Sequence, residues 1–457
     1  MEWMKKKILI IGAGLSGSAM ARFLTEKGAE VSLTDHKEEE NFPEAAAWRE
    51  AGIQLYLGAD PEEVKGFDAA FISPGVPPTV PVAKALKAAG VPIYGELLLV
   101  AQYSKAHFIA ITGTNGKTTT TALTGHILSQ AGKEVFVGGN IGIPLLEGAP
   151  VVSESGFVVA EISSFQLERP GELAPEVAAI LNITPDHLDR HGDMQSYMAA
   201  KANIFKKQNE NNYLILNYDD EYSLALASLA RSQVIYFSRR HILPKGFCVL
   251  DGNIVMQDSG KTVNILPVAE IYIKGGHNIE NALAACAMTY VAGIPVADIA
   301  QGLRTFRGVA HRQEIVGEVD GVLYVNDSKG TNTDSTIQAL LAYESPQILI
   351  LGGYDKHVSF EPLVPLIQKK AKAVVTLGAT ENQILETLRA AGYSALYPAG
   401  EDFKKAVEIA KSLASPGDVV MLSPACASWG MFKDFEERGD LFKKIVHEFA
   451  GEGIGCC

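Results

Sequence analysis

Short apolar runs alternate with segments of helical spacing along most of the chain. "KILIIG" (7–12) is continuously apolar and reads as a buried strand. "SGSAMARFLTEKGA" places its apolar residues at helical intervals and stops at Gly28. "EVSLTD" (30–35) is the next strand, and "AAFISPGVP" (69–77) another that ends in a turn. Repeated βα units of this kind predict a parallel, doubly wound sheet with helices on both faces.

The pattern restarts twice. Near Gly95 begins a unit with the strands "HFIAI", "KEVFVGG", "GFVVAEIS" and "VAAILNIT", closing with the helices "NIENALAACAMTYVAG" and "VADIAQGLRTF". Near Arg307 begins another, with "QEIVGEVDGVLYVNDS", "PQILILGG", "AVVTLG" and "DVVMLSPA". The chain is therefore predicted to be an α/β protein of three domains: residues 1–95, 96–306 and 307–457. The first and third are read as Rossmann-like and the middle one as a P-loop-type nucleotide-binding domain. A length of 457 residues suits three domains.

Composition is that of an ordinary globular protein, with 47% hydrophobic and 20% charged residues. A net charge of −13 argues against nucleic acid as a partner. The five cysteines, Cys248, Cys286, Cys426, Cys456 and Cys457, are scattered and odd in number, which suits reduced thiols in the cytoplasm. No apolar run approaches the roughly 18 residues a membrane helix needs. The basic, apolar start mimics a signal peptide, but its glycines and the strand that follows argue against export. A cytoplasmic, monomeric protein with no membrane partner is expected.

Two glycine loops carry the candidate chemistry. "TGTNGKTTT" (112–120) lies between a strand and a helix, where backbone N–H groups and the helix dipole converge on an anion. Gly113 and Gly116 admit close approach, and Thr114, Asn115 and Thr119 complete the loop. Lys117 suits phosphate oxygens and the Thr118 hydroxyl suits Mg²⁺. Ile111 stands where the standard loop has its first glycine, so this is a variant motif. "GAGLSG" (12–17) also joins strand to helix, and Asp35 ends the next strand where a dinucleotide fold keeps its ribose-binding acid. On these residues alone the loop fits either NAD or the diphosphate of another nucleotide, such as a UDP-sugar. Ser73, Pro74 and Gly75 would line the same crevice.

Further polar residues cluster at strand ends. Glu161 ends a buried strand and is placed for Mg²⁺. His187 sits in "NITPDHLDRHG" and Lys201 in the helical "MQSYMAAKANIF". Asn278 and Asn281 are three apart on one helix. His311, Arg312, Asp327, Lys329, Thr331, Lys356, Ser428, Phe435 and Arg438 fall in loops of the third unit. An NAD-dependent oxidoreductase and an ATP-gated regulatory protein both remain open on this inventory.

In order along the chain, "GAGLSG", "TGTNGKTTT", "GGNIG", "EISSFQLE", "DHLDRHG", "AAKANIF", "HNIENALAA", "HR", "NDSKGTN" and "LSPACASW…F…RG" resemble the Mur ligase family of peptidoglycan synthesis. The family's own loop lacks the first glycine too. The resemblance implies an ADP-forming amide ligase working through an acyl phosphate. Its first domain would bind a UDP-muramoyl precursor, its second ATP, and its third an amino acid. Leu15, Ser16, Asp35, Gly75, Asn140, Ser163, Gln166 and His187 would then serve UDP-N-acetylmuramoyl-L-alanine. Lys117 would contact ATP phosphates, and Asn278, Asn281, Arg312 and Asp327 the rest of the nucleotide. Thr118 and Glu161 would hold one Mg²⁺, and His187 with a carbamylated Lys201 a second. Thr331, Lys356, Ser428 and the backbone at Phe435 would hold D-glutamate. No "DNPR"-type motif of the diaminopimelate- or lysine-adding branch is present, and "SPACASW" is similar to the glutamate-adding branch. Another Mur-type or folylpolyglutamate-type ligase with a different acceptor is the alternative.

Overall fold

The computed structural model describes residues 3–355 and 359–451. Lys356 and the pair Cys456/Cys457 lie outside the described residues. The first sheet is formed by β1 (Lys7–Ile11), β2 (Glu30–Asp35), β3 (Gln54–Leu57), β4 (Ala69–Ile72) and β5 (Ile93–Tyr94). All are parallel, in the order β3-β2-β1-β4-β5. Side chains alternate across a strand, and here both faces are covered. Ile8 and Ile10 pack with Met20 and Leu24 on one face, while Leu9 and Ile11 pack with Val82 and Leu86 on the other. That is why the run is apolar at every position.

The second sheet holds β6 (His107–Thr112), β7 (Val135–Gly139), β8 (Phe157–Glu161), β9 (Val177–Ile180), β10 (Tyr213–Asn217), β11 (Gln233–Ser238), β12 (Lys245–Leu250), β13 (Asn253–Asp258) and β14 (Lys261–Pro267). Its order is β14-β13-β12-β11-β10-β9-β6-β8-β7. The third sheet holds β15 (Glu314–Val319), β16 (Val322–Asn326), β17 (Gln347–Gly352), β18 (Ala371–Leu377), β19 (Leu396–Pro398) and β20 (Val419–Leu422), ordered β15-β16-β20-β17-β18-β19.

Pairing turns antiparallel at one edge of the second sheet and one edge of the third. β12, β13 and β14 pair antiparallel, as do β15 and β16. The cause is local. Asp251 and Gly252 (φ 48° and 74°), Ser259 and Gly260 (50° and 90°), and Asp320 and Gly321 (53° and 76°) each put two consecutive residues at positive φ. Two-residue turns of that kind match the twist of an antiparallel hairpin.

The chain divides into two compact units, residues 1–270 with 280–304, and residues 271–279 with 305–457. The first two sheets lie in the first unit and share one contiguous core, which includes Ile10, Leu24, Leu99, Val158 and Ile180. The second unit is built on the third sheet, with cores around Tyr324, Ile350 and Phe442 on one side and Leu349, Leu351 and Ile367 on the other.

Candidate active site

β6 lies between β8 and β9, so strand order reverses at its C-terminal end. Open α/β sheets bind ligands at such points. The loop 113–116 leaves β6 here and enters the helix Lys117–Gln130. Gly116 caps that helix in the left-handed region, with φ 82° and ψ −10°. A Cβ on it would stand 2.3 Å from Asn281 Oδ1. Thr120 Oγ1 donates to the same Asn281 oxygen at 3.1 Å. The loop is also tied to the segment after β9. Thr114 N donates to Asn182 O (2.9 Å), Thr114 Oγ1 to Thr184 O (3.1 Å) and Asn115 N to Asn182 Oδ1 (2.8 Å). The N–H groups of the helix's first turn, at Lys117, Thr118 and Thr119, lack intrahelical acceptors and form an anion seat.

Two lysines converge on this loop. Lys117 Nζ donates to Gly113 O (2.9 Å) and Thr114 O (2.7 Å), and Lys201 Nζ donates to Gly113 O (2.7 Å). Lys201 is 1% exposed and its ammonium lies 4.6 Å from the centre of the Tyr197 ring. Burial, then the neighbouring Lys117, hold Lys201 well below the usual lysine range, with Asp186 pulling the other way. A cation in that setting loses its proton readily.

Glu161, at the end of β8, lies opposite Ile111 of β6 and Gly139 of β7. It is 1% exposed. Its Oε1 accepts from Asn140 Nδ2 at 2.8 Å, and its backbone oxygen accepts from Asn140 N, also at 2.8 Å. Its Oε2 is buried without a hydrogen-bond partner among the described residues. A buried carboxylate oxygen left open in this way suits a divalent cation. Among the described residues no three His, Cys, Asp or Glu side chains gather as a metal cage. Such a dedicated cage is not what Mg²⁺ carried on a nucleotide needs, since phosphates and water supply most of its ligands.

The segment 163–168 and the "DHLDRHG" stretch form a wall beside the loop. The Ser163 N–H and hydroxyl both donate to Gln166 Oε1, at 2.9 and 3.1 Å. The Phe165 ring meets His187 (4.9 Å), His191 (5.6 Å) and the Arg190 guanidinium (4.3 Å). His187 sits at φ 52° with Nε2 3.5 Å from Asp186 Oδ2. Arg190 grips both oxygens of Glu168 (3.0 and 2.9 Å) and donates to Pro74 O (2.9 Å), so it links this wall to the turn after β4.

That turn belongs to the first glycine loop. Ser73 Oγ donates to Gly12 O at 2.9 Å, and a Cβ on Gly17 would stand 1.7 Å from the same oxygen. Asp35 braces the loop, because Oδ2 accepts from Ala13 N (2.8 Å) and Oδ1 from Lys37 N (3.0 Å). Leu15 is exposed and Ser16 half-buried at the start of the helix Leu15–Glu26. Gly75 lies in the turn itself. A small cleft opens between the two sheets, lined by Ser73, Pro74, Glu96, Phe165, Gln166 and Arg190 among others.

In the second unit, β16 and β20 run parallel side by side; the segments after them carry Asp327, Thr331 and Ser428, and Phe435 opens the helix Phe435–Phe449. Asp327 is fully buried. Burial pushes its carboxyl up to about 6, against the opposing pull of Arg312 and a hydrogen bond from Ser423 Oγ (2.7 Å). Arg312 NH1 donates to Ser335 Oγ at 3.4 Å. Ser328 Oγ donates to the Phe435 carbonyl at 2.8 Å, and Arg438 donates from Nε to Ser328 Oγ at 2.9 Å. Asn278, in the same unit, donates to Lys274 O at 2.7 Å.

The structure brings Gly113, Lys117, Lys201 and Asn281 to one loop, and Glu161 and Asn140 to one strand end. It adds residues that the sequence reading assigned no role. Phe165, Arg190 and Tyr197 lie inside stretches singled out from the sequence, but only tertiary contacts single them out individually. Glu96 carries no sequence signal.

Residues 6–95 match the family "Mur ligase MurD-like, N-terminal domain", residues 111–289 the "Mur ligase middle domain", and residues 311–426 the "Mur ligase, glutamate ligase domain". Curated relatives named UDP-N-acetylmuramoylalanine–D-glutamate ligase include one from Pelotomaculum thermopropionicum, 47% identical over 97% of this chain and 98% of its own length. Another, from Alkaliphilus metalliredigens, is 44% identical over 98% of this chain and 99% of its own. Among solved structures, the UDP-N-acetylmuramate-alanine ligase of Thermotoga maritima superposes with a TM-score of 0.61 at 22% identity, covering 97% of this chain and 99% of its own. At that identity the likeness speaks for the fold alone.

Proposed function

The chain belongs to the Mur ligase family, and on that premise we propose that it joins D-glutamate to UDP-N-acetylmuramoyl-L-alanine, with ATP cleaved to ADP and phosphate. The observation that carries the reading is identity of 42–47%, along 97–99% of this chain, to proteins bearing that name. The reading assigns the first glycine loop to a uridine nucleotide and not to NAD. The match of residues 6–95 to the MurD-like N-terminal domain favours that choice.

A carboxylate does not accept an amine directly, because its oxygen is a poor leaving group. The γ-phosphoryl group of ATP passes to an oxygen of the alanyl carboxylate, giving an acyl phosphate and ADP. The amine of D-glutamate then attacks the acyl carbon, the carbon–oxygen bond breaks, and phosphate departs. Lys117 and the N–H groups of the helix's first turn hold the phosphates and meet the charge that spreads over the transferring oxygens. The ammonium form of D-glutamate sheds a proton before its amine attacks.

Leu15, Ser16, Gly75, Ser163 and Gln166 position the precursor, with Asp35 and Asn140 bracing the loops beneath it. Asn278, Asn281, Arg312 and Asp327 position the nucleotide. Thr331, Ser428, the Phe435 backbone and Lys356 receive the two carboxylates of D-glutamate. Mg²⁺, when bound, neutralises phosphate charge. Thr118 and the open Glu161 Oε2 fit one such ion. Lys201 fits a second, with His187, only as a carbamate. The neutral amine that its burial favours is the form that adds CO₂ and releases a proton.

The test incubates the protein with ATP, Mg²⁺ and UDP-N-acetylmuramoyl-L-alanine, offers single amino acids in turn, and measures phosphate release. Release confined to D-glutamate is expected. Equal ADP formation without any amine acceptor, or equal use of another amino acid, would refute the assignment.

A further inference from the structure

Two arginines line the cleft between the first two sheets, Arg169 and Arg190. They are held very differently. Arg190 is fully committed. Its Nε and Nη2 donate to the two oxygens of Glu168 at 3.0 and 2.9 Å, and Nη1 and Nη2 donate to Pro74 O and Val76 O at 2.9 and 3.4 Å.

Arg169 follows the single 3₁₀ turn Gln166–Glu168, and its N–H donates to Gln166 O at 3.2 Å. The root of its side chain packs closely on Gly95, where a Cβ would stand 3.0 Å from Arg169 O and 3.2 Å from Arg169 Cβ. The guanidinium end finds far less. The side chain is only 25% exposed, yet its one ion contact among the described residues is Nη1 to Glu168 Oε2 at 4.0 Å. That oxygen already accepts from Arg190. The single negative charge of Glu168 thus serves two guanidinium groups, and the trio keeps a net positive charge. Glu96, the other acid of the cleft, is 2% exposed, and burial raises its carboxyl above the usual range, which lessens its charge.

A cation mostly out of water and without a partner at bonding distance costs stability. Its planar fork matches the oxygens of a phosphate. A phosphate seat adjoins the cleft. Ser73, another of the lining residues, donates to Gly12 O of the first glycine loop at 2.9 Å. The helix Leu15–Glu26 that leaves this loop has no acidic residue in its first turn and no side-chain cap, so its first N–H groups stay open to an anion.

We propose that Arg169 is a further substrate-binding residue, its guanidinium kept open to pair with the diphosphate of the uridine precursor. Arg190 keeps it open by occupying Glu168. The inference rests on the ligase reading above.

The experiment measures ligation, and its inhibition by UDP, for the unchanged protein, Arg169→Ala and Arg169→Lys, with urea unfolding of each. UDP carries a diphosphate and no carboxylate, so it separates the two anionic parts of the precursor. Arg169→Ala is expected to raise KM for UDP-N-acetylmuramoyl-L-alanine and the inhibition constant of UDP together, by about tenfold to a hundredfold, the loss of a hydrogen-bonded charge pair. KM for ATP should stay within about twofold, because the lost contact is to the precursor alone. Arg169→Lys keeps the charge without the fork and should recover only part of the loss. Arg169→Ala should unfold at the same or a higher urea concentration, since it removes an unpartnered cation, whereas a purely structural Arg169 would give the opposite. An unchanged inhibition constant for UDP, equal shifts in KM for ATP and precursor, or unfolding at clearly lower urea would each overturn the proposal. If Arg169→Ala does not fold, Arg169→Gln, which keeps the stem, takes its place. Absence of ligation by the unchanged protein would sink the ligase reading and this inference with it. Normal ligation with indifferent Arg169 variants would sink the inference alone.

Discussion

Substituting Gly116 with alanine tests whether the nucleotide loop needs the shape seen here. The new side chain meets two separate penalties. A residue with a Cβ at φ 82° costs about 1 kcal/mol relative to glycine. The Cβ would also stand 2.3 Å from Asn281 Oδ1, so that amide must move. Moving it breaks the hydrogen bond from Thr120 Oγ1, and Thr120 is fully buried. Losing a buried bond and stranding its donor costs about 1–3 kcal/mol. The sum is about 2–4 kcal/mol, which as lost ATP affinity is roughly 30- to 700-fold. Gly132, just past the C-terminal end of the same helix, separates the two terms. It has φ 72° and nothing within 4 Å of its would-be Cβ, so Gly132→Ala carries only the backbone penalty. The assay is the ATP dependence of phosphate release, alongside urea unfolding of both variants. Gly132→Ala should lose about 1 kcal/mol of stability and keep its KM for ATP. A Gly116→Ala protein whose KM for ATP stays within threefold would refute the argument that Asn281 and the left-handed cap shape this site.

Three further outcomes follow from the same geometry. Lys201→Ala should lower ligation by about tenfold to a hundredfold and be rescued in part by a small carboxylate; an unmodified lysine in intact mass together with no rescue would remove the carbamate. Arg190→Ala should cost about 2 kcal/mol in urea unfolding, since Arg190 grips Glu168 at both oxygens, and Arg190→Lys should not restore it because an ammonium lacks the fork; a loss below about 0.5 kcal/mol would contradict the linking role. Asp327 has a folded-state carboxyl raised to about 6, so its contribution to stability is complete below about pH 4 and fades as pH rises through about 6. The amplitude is on the order of 3 kcal/mol, and Asp327→Asn should remove that slope; parallel stability–pH curves for the two proteins would exclude it.

What the chain order alone determined about this protein is what depends on neighbours a few residues away. Apolar runs such as "KILIIG" became strands because a strand covered on both faces needs every position apolar, and Ile8 to Ile11 are all buried. The two glycine loops were legible because their conformations rest on local φ values at Gly12 and Gly116. The antiparallel edges were equally local, written in Asp251-Gly252 and Asp320-Gly321, but the surrounding βα rhythm masked them. Tertiary structure decided the rest, because it turns on burial and on partners distant in sequence. Lys201 reads as an ordinary helix lysine until its ammonium is seen on Gly113 O, 88 residues away, beside Lys117. Arg190 reaches Pro74 across 116 residues, and Glu96 is set apart only by the absence of solvent around it. A proton's affinity and a carboxylate's open oxygen are properties of surroundings, and surroundings exist only once the chain has folded.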